Sequence, residues 1–269
     1  MRRLVRTALA FTGSKAIDAC RYAGGLALLF ASACWWTFVG PLKGRGKIRY
    51  EETMSHLERA AVRSLGIVSL VLFFVGVILA LQMAYVLRIF GIVEYVADVT
   101  GIAMAREMAP LLVAVVMTGF LGAAITAEIG TMVVSEEVLA LESMALNPVR
   151  FLVVPRVLAA MVAMPFVSLV ATYVGVLGGL AVGSCVLGLD PHKYIRRTVE
   201  SLQWKDVLTG LVKAEAFGAL VALIACREGL GVSGGAEGVG RATTNAVVRS
   251  IIAIIACDLV FTLFFYFLL

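Results

Sequence analysis

Three groups of residues in this 269-residue sequence have types and spacings that could do chemistry. Gly229, Gly231 and Gly234 spell G-x-G-x-x-G inside CREGLGVSGGAEGVGRATT (226–244), the spacing of a dinucleotide-binding turn. Gly44-Arg45-Gly46-Lys47 looks like half of a phosphate loop. The third group is ionisable residues inside apolar runs: Lys213, Glu215 and Asp258, with Arg106 and Glu107 at the head of another run. A charge at a bilayer centre costs at least about 2.5 kcal/mol, so such residues face protein or a water-filled cavity and mark a path for polar cargo. Metal chemistry is not indicated. The five cysteines (Cys20, Cys34, Cys185, Cys226, Cys257) are scattered without a C-x-x-C pair, and His56 and His192 are the only histidines. The thiols read as small apolar fillers.

The elements around these residues decide between the chemistries. Hydrophobic residues make up 61% of the chain and charged residues 15%, against about 45–50% and about 25% in soluble domains. A soluble fold of this length could not hide so much apolar surface, so the solvent is lipid. A spanning helix needs about 20 apolar residues. Five segments qualify: Leu65–Leu87, Met108–Ala127, Phe151–Leu187, Val207–Cys226 and Ile251–Leu269. The third is nearly twice the necessary length and holds Pro165, which predicts either a long kinked helix or a short lead-in before a span at Phe166–Leu187. The G-x-G-x-x-G therefore lies between two membrane helices, where no βαβ unit can form around it. The phosphate-loop likeness fails too, with Pro41 where the leading glycine belongs and Ile48 where Ser or Thr belongs. The glycines of 229–240 instead predict a tight loop ending at Thr243 or Thr244 as N-cap of the last helix.

Basic residues set the orientation. Eleven of the 23 Lys and Arg precede the first span, and placing them in the cytoplasm puts sixteen inside against six outside. This predicts a cytoplasmic N-terminus and an outer C-terminus. The segment Gly24–Val39, GGLALLFASACWWTFV, is too short to cross comfortably. Its flanking basic residues and tryptophans predict a helix lying in the cytoplasmic interface, with a sixth span as the alternative. The expected architecture is an all-α polytopic membrane protein. It has an N-terminal interfacial (elbow) helix in a region of residues 1–63, then a five-span core over 64–269, the whole forming one domain. Loops of about twenty residues leave no room for an independent catalytic domain.

Within that frame Lys213 and Glu215, roughly 200° apart on a helix, cannot readily pair with each other. Lys213 could pair with Glu107 or with Asp258, either as a lock between helices or as the lining of a substrate path. Gly175, Gly179 and Gly183 form G-x-x-x-G-x-x-x-G, which permits close helix approach within the chain or between copies. On the cytoplasmic side, Met132–Pro148 (MVVSEEVLALESMALNP) places Val134, Val138, Leu141 and Ala145 on one helical face and Glu136, Glu137 and Glu142 elsewhere. Ser135 could cap its start, and Asn147-Pro148 stops it. An acidic amphipathic helix suits a soluble partner better than anionic headgroups. Outside, Lys193, Arg196 and Arg197 beside Asp190-Pro191 predict a short helix facing headgroups or a partner.

Four stretches together resemble the MlaE (YrbE) family, permease subunits of MCE-associated lipid-transport ABC systems. They are LALQMAYVL near 80–88, AREMAPLL near 105–112, TAEIGTMVVSEEVLALESMALNPVRFLVVPR over 126–156, and EGVGRATTNAVVRS over 237–250. The resemblance implies a homodimer in a bacterial inner membrane, each copy bound through a coupling helix at Ser135–Leu146 to a cytoplasmic ATPase that holds ATP and Mg. It implies an MCE-domain protein on the outer side and a lipid cavity between the copies, with charged positions at Arg106, Glu107, Lys213 and Asp258. Arg106 and Lys213 could then attract phosphate headgroups. Glu128 would lie near the ATPase, whereas Glu215 matches no motif position. The chain itself would be no enzyme, would hold no cofactor or metal, and would bind no nucleic acid. Two other classes stay open on the residues alone: an ion- or proton-coupled carrier relaying through Asp258 and Glu215, and a membrane scaffold.

Overall fold

The computed structural model describes residue 17, residues 20–39 and residues 49–268; nearly all of them are helical and none is in a strand. The Gly44–Lys47 stretch and most of the basic N-terminal region lie outside the described residues. Helix is what lipid demands of an apolar chain, because every backbone N–H and C=O must be satisfied within its own segment. In chain order the elements are α1 (20–39), α2 (Tyr50–Ala61), α3 (Leu65–Ile89), α4 (Val93–Val134), α5 (Glu137–Ser143), α6 (Val149–Cys185), α7 (Pro191–Ser201), α8 (Trp204–Leu230) and α9 (Gly235–Leu268). Helices α3, α4, α6, α8 and α9 are long and apolar enough to cross a membrane. Helix α6 runs along α3 and α8, and α8 in turn packs on α4 and α9. Met104, Met117, Met164 and Phe217 fill the core where α4, α6 and α8 meet.

Close approach of α3 and α6 depends on glycine. A Cβ on Gly76 would stand 1.9 Å from the carbonyl oxygen of Gly175, and one on Gly178 would stand 2.3 Å from that of Phe73. Gly179 and Gly183 instead receive the ring of Tyr194, which α7 folds back against the C-terminal end of α6. The glycine series at 175, 179 and 183 is therefore used for packing within the chain. Helix α7 is capped by Asp190, whose Oδ1 accepts the His192 N–H at 3.1 Å. Two of its cations are already paired within the chain. Lys193 Nζ lies 2.7 Å from Glu94, and Arg197 meets Glu94 at 3.1 Å and Asp98 at 3.0 Å.

Helix α1 lies across the end of the bundle and does not cross it. Its residue Tyr22 bonds Glu228 at the end of α8, and fourteen residues later Trp36 lies under the guanidinium of Arg150 at the start of α6. Both contacts belong to the same end, where α3, α6 and α9 begin and α4 and α8 stop.

Several element boundaries differ from the sequence reading. Helix α4 begins 15 residues before Met108, and Pro165 stands inside an unbroken α6. The last helix starts at Gly235, after Gly234 and Gly235 turn the chain with φ of 89° and 69°. Thr243 and Thr244 are thus not N-caps. Their hydroxyls donate to the carbonyls of Val239 and Gly240 inside the helix, at 2.8 and 3.2 Å. An apolar-run criterion misses these first polar turns because they lie outside the hydrocarbon.

The acidic helix is also shorter than Ser135–Leu146. Ser135 closes α4, donating to the Thr131 carbonyl and to Glu137 Oε1. Glu136 then takes a left-handed conformation (φ 60°) before α5. Asn147 Oδ1 accepts the Val149 N–H at 2.9 Å and so starts α6. Val138 and Leu141 turn partly inward, Val134 and Ala145 are exposed, and Leu139 and Met144 are each 61% exposed.

Candidate functional site

The half of the bundle opposite α1 places Lys213 at the junction of α4, α8 and α9. Glu107 sits in a π turn (Met104–Met108) of α4. Pro110 has no N–H to give the carbonyl of Arg106, four residues back, which favours the wider turn there. Gly210 of α8 fits against this turn: a Cβ on it would be 2.1 Å from the Ala105 carbonyl oxygen. One turn further along α8, Lys213 reaches both other helices. Its Nζ lies 2.6 Å from Glu107 Oε2 and 2.9 Å from Asp258 Oδ1, and donates at 2.8 Å to Thr262 Oγ1. Thr262 donates on to Glu107 Oε1 at 3.2 Å. Asp258 and Thr262 are four apart on α9 and so share a face.

An ammonium has three N–H groups, and all three are used. The choice between Glu107 and Asp258 thus resolves to both at once, and Lys213 keeps no donor for a headgroup in this arrangement. Its side chain is 2% exposed, whereas Glu107 is 32% exposed and Asp258 17%. One ammonium between two carboxylates leaves a formal charge of −1 at a partly exposed position among the apolar helices. Arg106 points away from the cluster, 40% exposed and 3.5 Å from Asp206. Asp206 also caps α8, accepting the Gln203 N–H at 2.9 Å. Glu215 is exposed in the middle of α8 and has no ion-pair or hydrogen-bond partner among the described residues.

At the other end, Glu128 of α4 pairs at 2.9 Å with Arg156 of α6, whose side chain is 4% exposed. Arg156 also donates to the Leu152 carbonyl at 2.8 Å. His56 of α2 lies against this pair at a cavity of about 290 Å³ that Leu141 of α5 also lines. Burial, and then the charge of Arg156, push the His56 imidazole down to about 4. A base whose folded pKa is depressed binds its proton more weakly folded than unfolded. Its contribution is therefore whole above about 6.5, the unfolded value, and lost as pH falls from there through 4. Thermal unfolding of the purified protein is expected to show a midpoint falling across that window, and His56→Gln should flatten the fall.

Arg156, Asp206 and Thr262 were not singled out by sequence. Arg156 had a signal, being an arginine in a segment otherwise apolar from 151 to 164. Asp206 sits three residues after Gln203, the spacing of a capping box. Thr262 had none, since a threonine in a span commonly bonds its own helix.

Comparison with known proteins agrees with this architecture. The model of the family Permease MlaE matches residues 53–264. The intermembrane phospholipid transport system permease protein MlaE of Haemophilus influenzae is 32% identical over 226 residues, covering 83% of this chain and 87% of that one. A probable ABC transporter permease of Rickettsia typhi is 40% identical over 199 residues, 74% of this chain and 77% of its own. The chloroplastic protein TRIGALACTOSYLDIACYLGLYCEROL 1 of Arabidopsis thaliana is 33% identical over 222 residues. That match covers 82% of this chain but 63% of the plant protein.

Proposed function

The chain belongs to the MlaE permease family, and from that premise we propose that it moves phospholipid, or a related lipid, between the bacterial inner membrane and an outer MCE-domain protein, driven by ATP hydrolysis on a separate subunit. The observation that carries the proposal is the surface position of Glu107 and Asp258. Two carboxylates that share one ammonium keep a net negative charge among apolar helices and stay partly open, which calls for further polar cover. A second copy facing them across a water-accessible cavity would supply it, and such a cavity admits a headgroup between apolar walls. Arg106, beside Glu107 on α4 and 40% exposed in its loose 3.5 Å pair with Asp206, is the side chain suited to a phosphate. The lock of Lys213 with Glu107 and Asp258 joins the three helices that border this space. Opening it would release cationic and anionic groups together, so hydrolysis can bias the dimer between two cavity arrangements by making and breaking it.

Helix α5 is the proposed contact to the ATPase. It presents Leu139 and Met144 outward beside Glu136, Glu137 and Glu142, an apolar pair rimmed by acids, at the end assigned to the cytoplasm. The His56–Arg156–Glu128 group backs this helix, so a push on α5 reaches α4 and α6 directly.

The test is a mild-detergent pull-down of tagged protein, with mass spectrometry of what co-elutes. An ATPase and an MCE-domain protein are expected with the wild type. The ATPase should be lost from a Leu139→Glu/Met144→Glu variant whose unfolding midpoint is unchanged, because both side chains are exposed. Wild-type protein eluting alone, as a monomer without ATPase, would overturn the proposal and favour a gradient-driven carrier.

A further inference from the structure

A second charged cavity, of about 440 Å³, lies at the α1 end of the bundle, lined by Tyr22, Arg227, Glu228, Ser233, Arg241 and Arg249 among others. Lys213 and Arg227 are fourteen residues apart on α8, about 21 Å at helical rise. This cavity is therefore separate from the outer cluster. Its walls carry three guanidinium groups and one carboxylate. Glu228 Oε1 is taken up by Arg249 at 2.6 Å and by the Tyr22 hydroxyl at 2.8 Å. Burial and then Glu228 hold the Tyr22 phenol up at about 12, so it stays a donor.

Arg227 has no carboxylate partner among the described residues. It donates to the Tyr22 carbonyl and lies 4.1 Å from the centroid of the Tyr22 ring. Arg241 meets Glu237 at 3.5 Å, but both side chains are more than half exposed, and such pairs contribute little. The Arg241 guanidinium lies over the turn that opens α9, 3.3 Å from where a Gly234 Cβ would be. Ser233 and Gly238 of that turn line the cavity, so the positive end of a 34-residue helix faces it as well. Excess positive charge, planar guanidinium donors and a helix N-terminus converge on one polar space.

We propose that this cavity binds a phosphate-bearing anion, and that its source is the headgroup of an anionic lipid in the adjoining leaflet. Guanidinium pairs phosphate with two parallel hydrogen bonds, which suits Arg227 and Arg241. The depth favours lipid. Helix α1 lies across this end with Leu28 and Phe30 exposed, and it contributes Tyr22 to the cavity edge, so the cavity stands level with the headgroups. Choline and ethanolamine headgroups bring their own cation to the excess of arginine, whereas phosphatidic acid and phosphatidylglycerol do not. The site needs neither the ATPase nor lipid transfer, so it stands or falls separately from the proposed transport.

The experiment uses the full chain, purified and stripped of lipid, with binding of short-chain lipids followed by native mass spectrometry and by the thermal unfolding midpoint. Short-chain phosphatidic acid is expected to bind about 10-fold more tightly than phosphatidylcholine of the same chain length, the effect of one charge-assisted contact. Arg241→Gln, at an exposed side chain that cannot upset folding, should reduce that preference about 3-fold. Adding Arg227→Gln should abolish it. Equal binding of the two lipids, or a preference untouched in the double variant, would overturn the proposal. Inorganic phosphate raising the midpoint as far as phosphatidic acid would replace the lipid source with a free phosphate.

Discussion

Replacing Lys213 with methionine is expected to destabilise the protein by about 3–5 kcal/mol, the usual penalty for removing one partner of a buried ion pair. The ammonium is buried and all its donors are engaged, while Glu107 and Asp258 converge on it from different helices. Without it the two carboxylates repel each other at partly buried positions with no cation between them. Methionine keeps the stem's packing, so the loss reports the charge and not a cavity. Adding Glu107→Gln and Asp258→Asn to Lys213→Met removes the repulsion and should recover most of the midpoint, because neutral replacement of a whole buried network is often close to neutral in stability. Lipid transfer should stay lost in this triple variant if the charges act in transport, and return with stability if the cluster is only a brace. A Lys213→Met midpoint equal to wild type would falsify the lock.

How much of this was legible in the sequence follows from where each signal lives. Lys213, Glu107 and Asp258 stood out because a charge inside an apolar run is rare and expensive. Their joint pairing was not legible. The π turn at Met104–Met108 shifts α4 against a 3.6-residue register, so a helical wheel cannot say which side chain of α4 meets α8. The five spans were legible because hydropathy measures the solvent directly, but it measures only the part of a helix inside hydrocarbon. That is why hydropathy marks α9 only from residue 251 although it begins at Gly235. The face of α5 departs from the sequence pattern for a different reason. The pattern at 134, 138, 141 and 145 assumes one helix through Ser135, and the left-handed Glu136 breaks the phase. A backbone reversal at a glutamate carries no sequence signal, since αL is uncommon for that residue. Arg156 illustrates a third limit: its partner Glu128 lies 28 residues away, and only the fold brings them together.

Gly210→Ala tests whether the cluster depends on how closely α8 approaches α4. An added Cβ would be 2.1 Å from the Ala105 carbonyl oxygen, and a backbone atom inside a π turn of a packed helix cannot rotate aside as a side chain can. The helices must separate by roughly an ångström, since Cβ atoms essentially never approach another heavy atom within 3 Å. Lys213 is one turn away, and its 2.6 Å contact with Glu107 has no slack for that displacement. Two penalties therefore add: overpacking, typically about 1–3 kcal/mol, and a loosened charge lock. Gly66→Ala is the matched control, because a Cβ there meets nothing within 4 Å and α3 is helical at that point. Alanine in an unobstructed helical position is expected to be neutral or stabilising by up to about 1 kcal/mol. A large fall in midpoint for Gly210→Ala with none for Gly66→Ala would place the effect in the α4–α8 contact. Equal small effects would mean that the two helices have room to spare and that Lys213 is held by α9 alone.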